Sequence, residues 1–415
     1  MKYASIFIAC CISLPLKMIA QTCNGRYQNE IFTSFTKTTV EYSDVYNDPD
    51  EPSDFLKMDI YQPNGDTFPK RPAVIMAHGG TFIAGSKEET TCADICEMLA
   101  KRGYVTASIN YRLANSQVEL FDSINALRIA LRAVSDMKAA VRFFRKDAAT
   151  DNAFRIDTEQ IFVGGNSAGA VTALHVAYVD DTTELPSYIK PLVAAMGGID
   201  GNSGNPGYSS EVSGVINLAG GINKVYWIQP DDVPMVSCHG DNDQTVPYDC
   251  NDVLYPDNAL FDLIDLCGSG AMKTWCDQVG TDNILHTYPG DGHVPWESNA
   301  AKRQSMLQYV ADFMSTYTEC DSQATGGTRE PASELRVAVY PNPSKNLLTL
   351  VIEEPLQSAT ASIFDNAGKQ VATSVLDGRA VKNLDISPLP AGHYFLRISS
   401  EPGKIYNTVI SKVND

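Results

Sequence analysis

Residues Gly165-Asn166-Ser167-Ala168-Gly169 spell G-x-S-x-G where an apolar strand gives way to a helix. The run Gln160-Ile161-Phe162-Val163-Gly164 reads as a buried strand, and Ala168 to Tyr178 (AGAVTALHVAY) reads as a helix. A serine on so sharp a turn presents its hydroxyl at the edge of a sheet. Its glycine neighbours let the backbone bend and let strand and helix approach closely. The bland reading is a Gly-rich turn; the strand-turn-helix setting favours a nucleophile.

A serine hydroxyl near neutral pH needs a base, and the base needs an orienting carboxylate. The chain has six histidines, few enough to weigh one by one. His78 opens His78-Gly79-Gly80 after the apolar strand Ala73–Ala77, where a glycine run can aim backbone N–H groups at a developing oxyanion. His175 lies two helical turns past Ser167 and reads as structural. His239 ends the strand Val233–Ser237, His286 sits inside the strand Ile284–Tyr288 with a packing role, and His393 belongs to a separate C-terminal module. His293 follows Pro289-Gly290-Asp291-Gly292 in a loop between a strand and the helix Arg303–Met314, and is the best base. The acid lies in Cys238-His239-Gly240-Asp241-Asn242-Asp243, where Asp241 and Asp243 compete and the bare sequence does not separate them. Either gives the chain order Ser, Asp, His, which belongs to the α/β-hydrolase arrangement.

The net charge is −18, and nearly all of the acidic surplus precedes residue 321. An acidic body argues against nucleic acid or anionic membrane as a partner, since both are polyanions. At the N-terminus Lys2, the apolar run Ala4–Leu16 and Ala20 predict a secretory signal spanning residues 1–20, and no later segment is long and apolar enough to span a membrane. Cys10 and Cys11 leave with that signal, so eight of the ten cysteines remain. An even number in an exported chain predicts disulfides. Pairs Cys250–Cys267 and Cys238–Cys276 would tie down the insertion Tyr248–Asp282. Cys92 and Cys96 stand i,i+4 on a helix, but no cluster of ligands accompanies them and no metal is expected.

Strands at Ala73–Ala77, Val105–Asn110, Ile161–Val163, Val215–Leu218, Val233–Ser237 and Ile284–Tyr288 alternate with helices at Thr91–Arg102, Val134–Asp147, Ala168–Tyr178 and Arg303–Met314. That alternation predicts an α/β domain over 21–320: a doubly wound, mainly parallel sheet covered on both faces. The Gly-, Asn- and Ser-rich stretch Gly197–Ser213 reads as a long loop able to border a cleft. Residues 321–336 are polar, with Gly, Pro and Ser, and read as a linker. From 337 to 415, short alternating runs punctuated by turn residues predict a small all-β sandwich.

The body resembles the secreted carboxylesterases of the α/β-hydrolase superfamily, in the branch named for bifunctional feruloyl and acetyl-xylan esterases. The resemblance rests on His78-Gly79-Gly80-Thr81-Phe82, Asn110-Tyr111-Arg112, Gly165–Gly169, Gly201–Tyr208, His239–Tyr248 and Gly292-His293. It implies that Ser167 is the nucleophile, His293 the base and Asp243 the acid, four residues after the His of His-Gly-x-x-Asp. The backbone N–H groups of Gly80, Thr81 and Ala168 are the implied oxyanion donors, and Thr81 stands where the family often has a third glycine. The expected reaction is hydrolysis of carboxylic esters, acetyl or feruloyl esters on polysaccharide among them, with no cofactor. An exopeptidase of the same fold and an inactive exported binding protein are the alternatives. Tyr340-Pro341-Asn342-Pro343, Asn366–Lys369 and Ala391–Arg397 resemble the C-terminal sorting domain of the type IX secretion system of Bacteroidetes. That resemblance implies the secretion machinery as a partner and release, or cell-surface display, beyond the outer membrane.

Overall fold

The computed structural model describes residues 25–43, 56–183, 185–252, 265–319, 337–352, 359–364, 370–376, 381–400 and 404–413. The expected signal, linker, Cys23 and Cys320 lie outside them. The chain divides into two units, Met1–Ala324 and Thr325–Asp415.

In the first unit eight strands form one sheet. They are β1 (Phe35–Glu41), β2 (Lys57–Pro63), β3 (Arg71–Ala77), β4 (Val105–Ile109), β5 (Ile156–Asn166), β6 (Val215–Leu218), β7 (Met235–Gly240) and, after a small hairpin of β8 (Cys250–Asp252) and β9 (Asp265–Cys267), β10 (Asn283–Tyr288). Their order is β1-β2-β4-β3-β5-β6-β7-β10. β2 runs antiparallel to both of its neighbours, β1 and β4, and every pair from β4 to β10 is parallel. Six helices accompany the strands: α1 (Thr90–Ala100), α2 (Ser123–Ala149), α3 (Ala168–Tyr178), α4 (Lys190–Ala195), α5 (Ser269–Val279) and α6 (Ala300–Tyr317). This is the expected α/β-hydrolase architecture.

Alternation along β3 explains the layering. Ala73, Ile75 and Ala77 point to a core shared with Met137, Val141 and Phe144 of α2 and Leu174 of α3. Val74 and Met76 point the other way, to a core shared with Ile95 and Leu99 of α1 and Val310 and Phe313 of α6. The same alternation corrects one expected disulfide. Cys238 of β7 faces the α1/α6 core while Cys276 of α5 lies in the α2/α3 core, so the sheet stands between them and both thiols are free. Cys250 and Cys267 sit directly opposite in the β8–β9 hairpin and are bonded.

α2 begins eleven residues before the expected Val134, because the Asp122 side chain accepts the Asn125 N–H at 2.8 Å and caps a new start. The Gly197–Ser213 loop is clamped onto α2: Lys138 Nζ donates to Ile199 O (3.0 Å) and Arg142 to Asp200 O (2.6 Å) and Gly204 O (2.9 Å).

The second unit holds β11 (Val337–Tyr340), β12 (Leu347–Ile352), β13 (Ala359–Phe364), β14 (Gln370–Leu376), β15 (Val381–Asp385), β16 (Gly392–Ser400) and β17 (Lys404–Lys412). Two antiparallel sheets, β11-β12-β15 and β14-β13-β16-β17, pack about a single apolar cluster that includes Leu350, Ile363, Leu396 and Ile410. The sandwich read from the alternating runs is therefore present.

Candidate active site

Ser167 sits at the turn from β5 into α3 with φ 53° and ψ −116°, a conformation that costs a non-glycine residue about 1–3 kcal/mol. Tight packing enforces it. A Cβ on Gly165 would stand 2.2 Å from the carbonyl carbon of Gly169, and one on Gly169 would stand 2.0 Å from Ala77 O. The Ser167 N–H donates to Leu218 O of β6 at 2.8 Å, and Val171 N–H returns to Ser167 O at 3.0 Å to start α3.

The structure brings His293 and Asp243 to this serine. His293 Nε2 lies 2.8 Å from Ser167 Oγ, and His293 Nδ1 lies 2.6 Å from Asp243 Oδ2. An ionised carboxylate only accepts, so the imidazole proton resides on Nδ1, and Nε2 offers its lone pair to the serine hydroxyl. Asp243 Oδ1 accepts the N–H groups of Thr245 (2.7 Å) and Val246 (3.0 Å). Burial pushes the Asp243 carboxyl up, but the hydrogen bonds from His239 and His293 outweigh that and hold it well below the usual carboxylate range.

Asp241 has another task. Its Oδ1 accepts the Gly290 N–H at 2.6 Å and so braces the loop that carries His293. Three further braces were not apparent in the sequence. Trp296, fully buried, donates Nε1–H to Asn166 Oδ1 at 3.2 Å, and Asn166 Nδ2 donates to Glu297 at 2.8 Å. The residue before the nucleophile is thereby tied to the loop of the base. His239, also fully buried, places Nε2 3.1 Å from Val246 O and 3.2 Å from Asp243 Oδ2, and Nδ1 2.8 Å from Ser269 Oγ. Its spacing of four from Asp243 is the signal that could have drawn attention to it.

The loop after β3 lies against the nucleophile: a Cβ on Gly79 would stand 3.4 Å from Ser167 Cβ. Tyr111 holds that loop by stacking on the His78 ring (4.3 Å between centroids) and donating its hydroxyl to His78 O at 2.9 Å. Thr81 and Phe82 both take positive φ, 54° and 59°, which gives a physical reason for glycine at the Thr81 position. Thr81, Ser167 and Ala168 share the wall of one pocket of about 130 Å³, closed by Phe82, Val171 and Leu266 among others. Gly80 turns its carbonyl to Ile83 N–H and Ala84 N–H and is not on that wall. His175, read as structural, bonds Val171 O with Nδ1 at 2.7 Å and also lines the pocket. His286 stacks on Tyr309 as a packing residue.

Residues 58–223 match the BD-FAE family, the esterase branch that the sequence resembles. Over that stretch the chain is similar to this esterase family. The match includes Ser167 and ends before Asp243 and His293, which the fold adds. Residues 338–412 match the Secretion system C-terminal sorting domain, which marks the chain for type IX export to the cell surface or the medium. Among solved structures, a truncated form of a carbohydrate esterase from gut microbiota is 20% identical, over 68% of this chain and 98% of its own, with a TM-score of 0.48. The butyrate-bound esterase Est2 of Thermogutta terrifontis is 22% identical over 70% and 96%, with a TM-score of 0.47. The same organism's esterase 2, phosphorylated by paraoxon, is 20% identical over 67% and 93%, with a TM-score of 0.46. No curated protein matches the chain.

Proposed function

We propose that this esterase-like protein is an exported serine carboxylesterase working through an acyl-enzyme on Ser167, with residues 21–320 as its catalytic body, 321–336 as linker and 337–415 as its secretion address. The observation that carries the reading is the continuous hydrogen-bonded line Ser167 Oγ, His293, Asp243, at 2.8 and 2.6 Å. Ser167 Oγ attacks the ester carbonyl as its proton passes to His293 Nε2. The tetrahedral adduct then collapses, the alkoxide leaves, and His293 returns the proton to it. Water attacks the acyl-enzyme by the same route, releasing the carboxylic acid and restoring the serine. Asp243 holds the imidazole in the required tautomer and stabilises the imidazolium. Backbone N–H groups of Thr81 and Ala168, beside Ser167 on the pocket wall, are the favoured oxyanion donors, each contributing on the order of 3 kcal/mol. Gly80, off that wall, is the weaker candidate.

The test is covalent. A fluorophosphonate should label the purified protein at Ser167, and Ser167→Ala should remove both the label and the hydrolysis of p-nitrophenyl acetate. Labelling that survives the substitution would assign the nucleophile elsewhere.

A further inference from the structure

Three apolar cavities lie in series behind Ser167, and their walls advance in step along two helices. The first is lined on α3 by Ala168, Val171 and His175 and on α2 by Ala126, Leu127 and Ala130. The second moves on to Val179 and to Leu131 and Val134, and the third to Ser135, ending at Met196 and the Gly198–Gly201 stretch. The volumes taper from about 130 to about 60 to about 40 Å³. Residues 127, 130, 131 and 134 are one face of α2, and 171 and 175 are one face of α3, with Val179 just past its end, so the space is a groove between two helices running the same way.

Most polar atoms on these walls are already engaged. His175 donates Nδ1–H to Val171 O, receives the Asn223 N–H on Nε2 at 3.4 Å, and is kept neutral by burial, which lowers its pKa. Thr172 Oγ1 donates to Ala168 O, and Ser135 Oγ pairs with Ser203 Oγ. The exceptions are Asn223 Oδ1 and, in the second cavity, Trp227 Nε1, both buried and without a partner among the described residues. Nothing on the walls would balance a charge, and one acceptor and one donor are too few for the several hydroxyls of a sugar. The groove also lies on the oxyanion side: Thr81 and Ala168 line its mouth and His293 does not. Because His293 must reach the leaving oxygen, the alcohol belongs on the His293 side, and the groove receives the acyl part.

We infer that the groove between α2 and α3 is an acyl channel that selects esters of unbranched medium-chain fatty acids. The inference rests on the serine-esterase reading above. From Val171 along α3 to Val179, just past the helix end, the channel runs about 12 Å at roughly 1.5 Å per residue. A zigzag chain with bonds of about 1.5 Å advances roughly 1.25 Å per carbon, so an acyl group of about eight to ten carbons fills it.

The test is kcat/KM for p-nitrophenyl esters from acetyl to palmitoyl, with p-nitrophenyl p-hydroxycinnamate in parallel. The value should climb from acetyl to about C8–C10, by up to about fourfold per methylene buried, the equivalent of about 0.8 kcal/mol each, and then fall. Ala130→Trp, which blocks the passage between the first two cavities, should lower the octanoyl-to-acetyl ratio at least tenfold. Val179→Phe, farther in, should move the optimum to shorter chains, and either variant alone suffices if the other misfolds. Turnover that is highest with acetyl, or faster with the hydroxycinnamate than with octanoate, would overturn the channel while leaving the serine mechanism standing; the latter result would hand Asn223 Oδ1 a phenolic donor. No turnover of any ester together with no labelling of Ser167 would remove both.

Discussion

His239 Nε2 lies 3.2 Å from Oδ2 of Asp243, the oxygen that also takes the 2.6 Å hydrogen bond of His293 Nδ1. One carboxylate oxygen thus serves two imidazoles, one at the reaction centre and one sealed in the core. The Nε2–H of the buried ring is shared between that oxygen and Val246 O at 3.1 Å, so His239 stands one contact behind the proposed triad. His239→Leu should lower kcat/KM about 10–100-fold, with the loss in kcat rather than KM, because the Asp243 carboxylate that orients His293 loses a partner. His239→Gln keeps an N–H near the Nε2 position and should restore most of the loss. A loss confined to KM, with Gln as poor as Leu, would reduce His239 to packing.

Asp243 and Asp241 should separate cleanly. Asp243→Asn favours the wrong imidazole tautomer and should cut kcat on the order of 10⁴-fold. Asp241→Asn keeps an oxygen for the Gly290 N–H and should stay within about threefold. Kinetics on one soluble ester decide it, and the reverse ranking would exchange the two roles.

Acid stability follows from the same carboxylate. Its pKa is depressed in the folded protein, so the stability it contributes is present above the unfolded value of about 3.9 and is lost as pH falls through the lower folded value. Melting temperatures of wild type and Asp243→Asn should therefore differ at pH 7, and the gap should begin to narrow only as pH falls below about 3.9. A gap that widens toward acid would contradict the hydrogen-bond assignment.

Thr81 tests the oxyanion loop. With φ 54°, it occupies a conformation glycine adopts freely, so Thr81→Gly should keep kcat/KM within about threefold. Thr81→Pro removes the N–H and imposes φ near −65°, and should cost on the order of 10²-fold or more in kcat. If the proline variant folds and retains its kcat, the donor lies elsewhere.

Leu266 reaches the pocket wall from β9, next to Cys267, whose N–H and C=O both pair with Ile222. Cys250→Ser should lower the melting temperature and raise KM for long acyl esters more than for acetyl. Equal changes across chain lengths would mean that the bond acts on stability alone.

What the sequence displayed depended on the range of the interaction. The Ser167 turn, the parallel strands and the order Ser, Asp, His are local or ordinal, and were visible. β1 was missed because its side chains are mostly exposed, leaving no apolar alternation to read. The first turns of α2 were missed because Leu127, Ala130 and Leu131 face a cavity whose other wall is α3. Asp241 and Asp243 could be told apart from residue pattern only by where each carboxylate points. The failed Cys238–Cys276 pair shows the same limit: spacing brings two thiols near in order but does not say which side of a sheet each faces.

The Cys250–Cys267 bond also sets a timetable. A reducing cytoplasm holds such thiols apart, and an oxidising compartment joins them. Since the strand it clasps supplies part of the pocket wall, the enzyme leaves the cytoplasm with that wall unfastened. On the esterase reading proposed above, the pocket wall is therefore completed only after export.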